Sequence, residues 1–208
     1  MLELEKAIRR VDTRKSLADF GLPIPSAEAA ERLQPGNALL QEEQNYPVEE
    51  MRQTVQLAEA SLTQSQRAVT EAVLDAVSDQ PKVFFLQGPG GTGKTFVEVY
   101  LLAKVRSAGK VALAVASSGI AALLLQGGRT AHSRFKLPVK GLTANTTLNV
   151  PKQSTLADLF RKTSLIVWDE APMQHRQCAE AVSRCLQDVR DDPRPFGGVT
   201  VLFAGDWV

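Results

Sequence analysis

Residues 88–95 read Gly88-Pro89-Gly90-Gly91-Thr92-Gly93-Lys94-Thr95, directly after the apolar run Lys82–Gln87. Glycines at this density let backbone N–H groups curl inward around an anion, and a helix beginning at Gly93 adds positive potential at its first turn. The spacing G-x-x-x-x-G-K-[ST] is that of a phosphate cradle. Lys94 would place a point charge on the β- and γ-phosphates of a nucleotide, and the Thr95 hydroxyl would ligate Mg²⁺.

A second group of reactive side chains lies 75 residues beyond Lys94, where Leu165-Ile166-Val167-Trp168 ends on Asp169-Glu170. Two carboxylates at the end of an apolar strand, paired with a phosphate cradle, divide the work: Asp169 holds the Mg²⁺ shell and Glu170 polarises water. A glutamate in that position suits ATP hydrolysis, and no guanine-reading N-K-x-D occurs in the chain. Gly205-Asp206 closes the last apolar run. Asp206 is either a sensor of the γ-phosphate or a turn residue.

Strands and helices must carry these groups. Short apolar runs at Lys82–Gln87, Lys110–Ala116, Leu165–Trp168 and Thr200–Ala204 read as strands buried on both faces. Helical spacing covers Pro47–Ser61, Leu62–Val77, Gly93–Ser107, about Ser118–Leu125, part of Leu148–Thr163, and His175–Val189. Leu2–Val11 reads as a further short helix, and proline-rich Phe20–Pro47 as an irregular segment with helical turns. The βαβα order predicts an α/β fold, a doubly wound parallel sheet spanning 61–208 behind a helical and irregular lead segment, 1–60.

Composition narrows the setting. The chain has 208 residues, 24 Lys+Arg against 23 Asp+Glu, and two cysteines, which excludes a disulfide framework. The longest nearly uncharged stretch, Val111–Gln126, contains Ser117, Ser118 and Gly119 and falls short of a membrane span. The expectation is a soluble intracellular domain with no membrane partner. Charge is uneven: between Tyr100 and Leu165 stand Lys104, Arg106, Lys110, Arg129, Arg134, Lys136, Lys140, Lys152, Arg161 and Lys162 against Asp158 alone. That excess fits either a polyanionic partner or a solvated face. His175, Cys178 and Cys185 do not read as a zinc site, because Cys178, Ala181, Val182, Cys185, Leu186 and Val189 follow the buried stripe of one helix.

Several blocks together resemble the superfamily 1B DNA helicases of the Pif-like and RecD-like group, including the helicase regions of Helitron-type transposons. Leu62-Thr63-Gln64-Ser65-Gln66 resembles the adenine-reading Q motif, which implies that Gln66 bonds the base edge. From the residues alone, Thr63 and Gln66 also form a capping box. Gly88–Thr95 is motif I and Asp169–Met173 motif II. Ala116–Ala122 resembles motif Ia, implying DNA-backbone contacts at Ser117, Ser118 and Gly119. Gly128–Phe135 resembles motif Ib, implying that Thr130, His132 and Ser133 lie near single-stranded DNA with Phe135 packing or stacking beside them. The resemblance implies the first RecA-like domain of a 5′-to-3′ helicase using ATP and Mg²⁺ on single-stranded DNA, most naturally in the nucleus. It also implies that the chain stops inside motif III, lacking a second RecA-like domain with its arginine finger. Two rivals stand beside it: another P-loop ATPase, and a non-catalytic nucleotide- or DNA-binding remnant.

Overall fold

The computed structural model describes Phe20 and residues 37–206. The helix expected at Leu2–Val11 lies outside the described residues, as does most of the irregular segment before residue 37. Leu39–Val208 forms one compact unit, distinct from residues 1–38.

The described elements, in chain order, are α1 (Ala38–Gln44), α2 (Val48–Ser61), α3 (Gln64–Ser78), β1 (Val83–Gln87), α4 (Lys94–Ser107), β2 (Val111–Ala116), α5 (Gly119–Leu123), β3 (Arg129–Thr130), α6 (Ala131–Phe135), α7 (Thr155–Lys162), β4 (Thr163–Asp169), α8 (Arg176–Arg190) and β5 (Thr200–Gly205). All strand pairs are parallel, in the order β1-β5-β4-β2-β3. This is the expected α/β sheet, with β4 and β5 inserted between the first two strands of the chain.

Side chains alternate across each strand, so one sequence feeds two cores. Leu113, Val115, Ile166, Trp168, Val201 and Phe203 face the layer holding Phe135, Phe160, Val182 and Leu186. Ala112, Ala114, Leu165, Val167 and Leu202 face the layer of Met51, Val55, Val73, Val97 and Leu101. The small Ala112 and Ala114 admit α4 close to the sheet. α4 is apolar nearly all round, with Val97, Tyr100, Leu101, Leu102, Ala103 and Val105 buried, because α2 packs over its outer side through Met51, Val55 and Ala58. Tyr100 and Lys104 also donate to Glu59 of α2, at 3.0 and 2.6 Å.

The expected boundary at residue 60 therefore needs correcting. α2 supplies core side chains to the same compact unit that holds the sheet, which extends back to Leu39. Helices 39–61 are a layer of the domain, not a lead to it.

Phe135 is the second correction. It is 0% exposed, and its ring stacks on Trp168 at 5.6 Å and tilts against Phe160 at 5.6 Å. A ring committed on both sides to core aromatics offers no surface to a nucleobase. Truncation of Phe135 to Ala is expected to lower stability by about 3–5 kcal/mol in urea unfolding, the cost of a buried aromatic.

Candidate active site and nucleic-acid interface

The carboxyl ends of the strands converge on one edge, where turns from β1, β2, β3 and β4 emerge side by side. The turn after β1 is the glycine cradle. Gly93 sits in the left-handed region at φ 84°, and a Cβ there would fall 2.7 Å from Gln66 Nε2, so only glycine fits. Thr92 Oγ1 donates to Pro89 O at 2.9 Å, and Gly88 N–H donates to Gly205 O at 3.3 Å, tying the loop to β5. Lys94 begins α4 and folds back across the loop, donating to Gly88 O at 2.6 Å and Pro89 O at 3.1 Å. The ammonium is thereby held over the cradle.

β4 delivers the acids. Asp169 is 4% exposed, and its Oδ1 accepts from the Glu170 N–H at 2.8 Å, which fixes the carboxylate. Glu170 turns the chain at φ 50°, a left-handed conformation that ends the strand abruptly. Gly90, Gly91, Gly93, Lys94, Thr95, Asp169 and Glu170 line one cleft of about 350 Å³. A hydroxyl and two carboxylates facing a lysine-bearing phosphate cradle form an all-oxygen donor set, and such a set suits Mg²⁺.

Beside the cleft, Gln66, Val69, Leu86, Thr92, Gly93 and Val97 line a smaller hollow of about 250 Å³. Here the capping-box reading is realised. Gln66 Oε1 accepts from Thr63 N–H at 3.1 Å, and Thr63 Oγ1 accepts from Gln66 N–H at 3.3 Å. Gln66 Nε2 reaches Thr92 O at 3.4 Å, linking α3 to the cradle. Each end of the amide keeps one hydrogen-bonding site uncommitted, a second N–H on Nε2 and a second lone pair on Oε1.

Asp206 is not brought to the cleft. It lies exposed beyond β5 and lines a separate groove of about 760 Å³ walled by Phe85, Phe196, Phe203 and Trp168.

The two candidate DNA turns are neighbours. β2 pairs with β3 so that Ala116 lies opposite Thr130 and, on its other side, opposite Asp169. Ser117 N–H donates to Asp169 O at 3.1 Å. The Ser117 hydroxyl is buried with no partner among the described residues, while Ser118 Oγ caps α5 by accepting from Ala121 N–H at 3.2 Å. Gly119 and Ser133 are exposed, and Thr130 and His132 half-buried. Thr130 Oγ1 caps α6, accepting from Ser133 N–H at 3.2 Å.

Of the basic stretch, Arg106 and Arg134 are buried, and Lys104, Arg129, Lys152 and Arg161 are engaged in half-exposed ion pairs at the surface. Lys104 pairs with Glu59, Arg129 with Glu42, Arg134 with Glu43, Lys152 with Asp188 and Asp191, and Arg161 with Asp158. Arg106 is buried against backbone carbonyls. Lys110, Lys136, Lys140 and Lys162 stand exposed outside these ion pairs, while Lys152 and Arg161 are exposed within them.

Sequence reasoning missed Glu98. It lies one helical turn after Lys94, is 0% exposed, and neither oxygen meets a donor among the described residues. Burial, then the adjoining Asp169 carboxylate, pushes its carboxyl up to about 8, against a smaller opposing pull from Lys94. The available signal was a lone acid in the apolar run Phe96-Val97-Glu98-Val99-Tyr100. Its setting then required Asp169 to be placed beside it by the sheet.

Lysine and strand-end carboxylates meeting across one cleft at the carboxyl edge of a parallel sheet make this a P-loop NTPase domain of the RecA-like kind. The family model described as PIF1-like helicase matches residues 61–208, and the chain belongs to that family. It is 32% identical over 127 residues to the ATP-dependent DNA helicase Pif1 of a Psychrobacter species, covering 61% of this chain and 19% of that protein. It is 25% identical over 163 residues to human ATP-dependent DNA helicase PIF1, covering 78% and 24%. The crystal structure of Pif1 helicase from Bacteroides in complex with ADP-AlF3 and ssDNA superposes with a TM-score of 0.60 at 32% identity, over 70% of this chain and 32% of that one. The chain thus spans about a fifth of the curated relatives and about a third of the solved one.

The buried Glu98 carboxyl has a stability signature. Its folded pKa lies above the ordinary 4.5, so the stabilisation from holding the proton is complete below 4.5 and is lost as pH rises through about 8. In metal-free buffer, stability should fall across that window by up to about 1.4 kcal/mol per pH unit. Glu98→Gln should flatten the decline in urea titrations at successive pH values.

Proposed function

We propose that this chain is the nucleotide- and single-stranded-DNA-binding part of an ATP-dependent 5′-to-3′ DNA helicase motor. The observation that carries the reading is the adjacency of the two sites. Asp169, at the nucleotide cleft, accepts a hydrogen bond from Ser117, the first residue of the candidate DNA turn, and Thr130 opens the neighbouring turn one strand further on. A shift of the β4 end by nucleotide is thus felt directly where DNA would be gripped. The Bacteroides relative solved with ADP-AlF3 and ssDNA supports both ligand classes.

ATP would lie with its phosphates in the cradle, where Lys94 exchanges its two carbonyl partners, Gly88 and Pro89, for β- and γ-phosphate oxygens. Thr95 and Asp169 would hold Mg²⁺, which when bound draws charge from the phosphate oxygens. Glu170 accepts a proton from a water as that oxygen bonds to the γ-phosphorus. The bond to the β,γ-bridging oxygen breaks, and ADP and phosphate leave. Adenine would occupy the hollow beside Val69 and Leu86, with the remaining N–H and lone pair of the Gln66 amide reading the base edge. Ser117, Ser118 and Gly119, with Thr130, His132 and Ser133, would meet the DNA backbone. Unwinding, and with it a nuclear or mitochondrial role in DNA maintenance, would require the further length that the relatives have.

Two measurements test the assignment. Lys94→Ala should weaken binding of a fluorescent ATP analogue by about 10–100-fold, the worth of a charge-assisted bond, while Glu170→Gln should stay within a few-fold of wild type. Equal loss in both contradicts the roles given. Labelled oligothymidylate should bind with an affinity that falls as salt rises; no binding at low salt would favour an ATPase without DNA loops.

A further inference from the structure

The lead helix α1 carries Glu42 and Glu43, and both reach the candidate DNA motif. Glu42 takes Arg129 Nη2 on its two oxygens, at 2.5 and 2.8 Å, in a half-exposed pair. Glu43 is different: it is 2% exposed. Its Oε1 accepts from Arg134 Nη2, and its Oε2 accepts from Tyr46 Oη at 3.1 Å and lies 3.6 Å from Arg106 Nη2. Arg106 is satisfied elsewhere, donating to Ala112 O at 3.2 and 3.0 Å and to Gln126 O at 2.8 Å, with its guanidinium 3.9 Å over the Tyr46 ring. Gly127, at φ 69°, packs so closely on Tyr46 that a Cβ would collide with the phenol.

This one carboxylate therefore ties both approaches to the motif: the Gln126–Gly127 turn that enters β3, through Arg106 and Tyr46, and α6, through Arg134. α6 has five residues and is too short to hold its own geometry. Ala131, Arg134 and Phe135 are buried, whereas His132 is half-buried and Ser133 exposed. Arg134 is the polar member of the buried side, and Glu43 is its only ion-pair partner among the described residues. A buried carboxylate with three donors around it has little freedom to move, and its partner inherits that rigidity.

We infer that Glu43 is a positioning residue for single-stranded DNA binding: through Arg134 it holds α6 so that Thr130, His132 and Ser133 meet the strand together. The inference rests on the assignment of those residues to DNA contact under the proposed function.

The test uses the 208-residue chain, fluorescein-labelled oligothymidylate followed by anisotropy across a salt series, and a fluorescent ATP analogue in parallel. Glu43→Met/Arg134→Met removes the Glu43–Arg134 pair as a unit and leaves Arg106 held by the Ala112 and Gln126 carbonyls and the Tyr46 ring. The oligonucleotide Kd is expected to rise roughly tenfold, as for loss of one or two aligned hydrogen bonds, while the nucleotide Kd stays within about twofold. The slope of log Kd against log salt should not change, because Arg134 is 3% exposed and neutralises no phosphate. A purely stabilising role would leave oligonucleotide affinity intact in a variant that still binds nucleotide, and that result overturns the inference. So does a shallower salt slope, which would make Arg134 itself a phosphate contact. Glu43→Asp keeps the charge but retracts it by one methylene. It serves if the double variant does not fold, is expected to lose about threefold in oligonucleotide affinity, and overturns the inference if it loses none. Absence of oligonucleotide binding by the wild-type chain, with nucleotide binding intact, sinks the DNA assignment itself and so is distinguishable from failure at Glu43.

Discussion

The register of β2 against β4 is the constraint on which both candidate sites depend. Ala116 pairs with Asp169, and Ser117 N–H bonds the Asp169 carbonyl, so the turn after one strand is tied to the cleft carboxylate residue of the next. A slip of one residue would turn every side chain of β4 to the opposite core, sending Ile166 and Trp168 into the layer that Leu165 and Val167 now fill. The bulk of Trp168, stacked on Phe135 and tilted on Phe203, forbids that exchange. Aromatic packing below the sheet thus sets the position of a carboxylate at its edge.

That edge concentrates negative charge. Asp169, Glu170 and Glu98 gather near one lysine, and Lys94 can satisfy only part of the demand while it bonds Gly88 and Pro89 carbonyls. Glu98 is driven toward its neutral form chiefly by burial and then by Asp169. The consequence is that the buried Glu98 carboxyl is held toward its uncharged form, which limits the charge crowded behind Asp169. Crowding of acids here is tolerated because the sheet seals one of them from water.

The strands were legible because each is a short, unbroken apolar run, as burial on both faces demands. The cradle and the acid pair were legible because their chemistry fixes residue type and spacing. What escaped notice was either too short or too distant. β3 has two residues and α6 five, below the length at which any periodicity shows. Phe135 carried a motif label that pointed to DNA, yet its ring completes a core aromatic cluster that only the folded sheet assembles. Gln66 left two roles open, and the capping bonds are the ones the structure forms. Summed charge misled for a related reason: Arg106, Arg129 and Arg134 count as basic in sequence, while their carboxylates come from α1, far upstream.

Those long-range pairs change what the first described helices are for. An acidic segment preceding a basic one looks, in composition, like two separable parts. In the fold, α2 covers the outer side of α4 and α1 supplies counterions to the arginines that flank the candidate DNA turns. Burying Arg106 and Arg134 without Glu43 would leave two charges in a medium that solvates neither, so the β2–β3–α6 region requires α1 to exist in its present form. The negative charge of this region is therefore part of the same device as the positive charge that follows. It fixes two arginines away from solvent, whereas Lys136 and Lys140, just beyond α6, stand exposed. The surface charge here is set by which cations the fold neutralises as much as by how many the sequence contains.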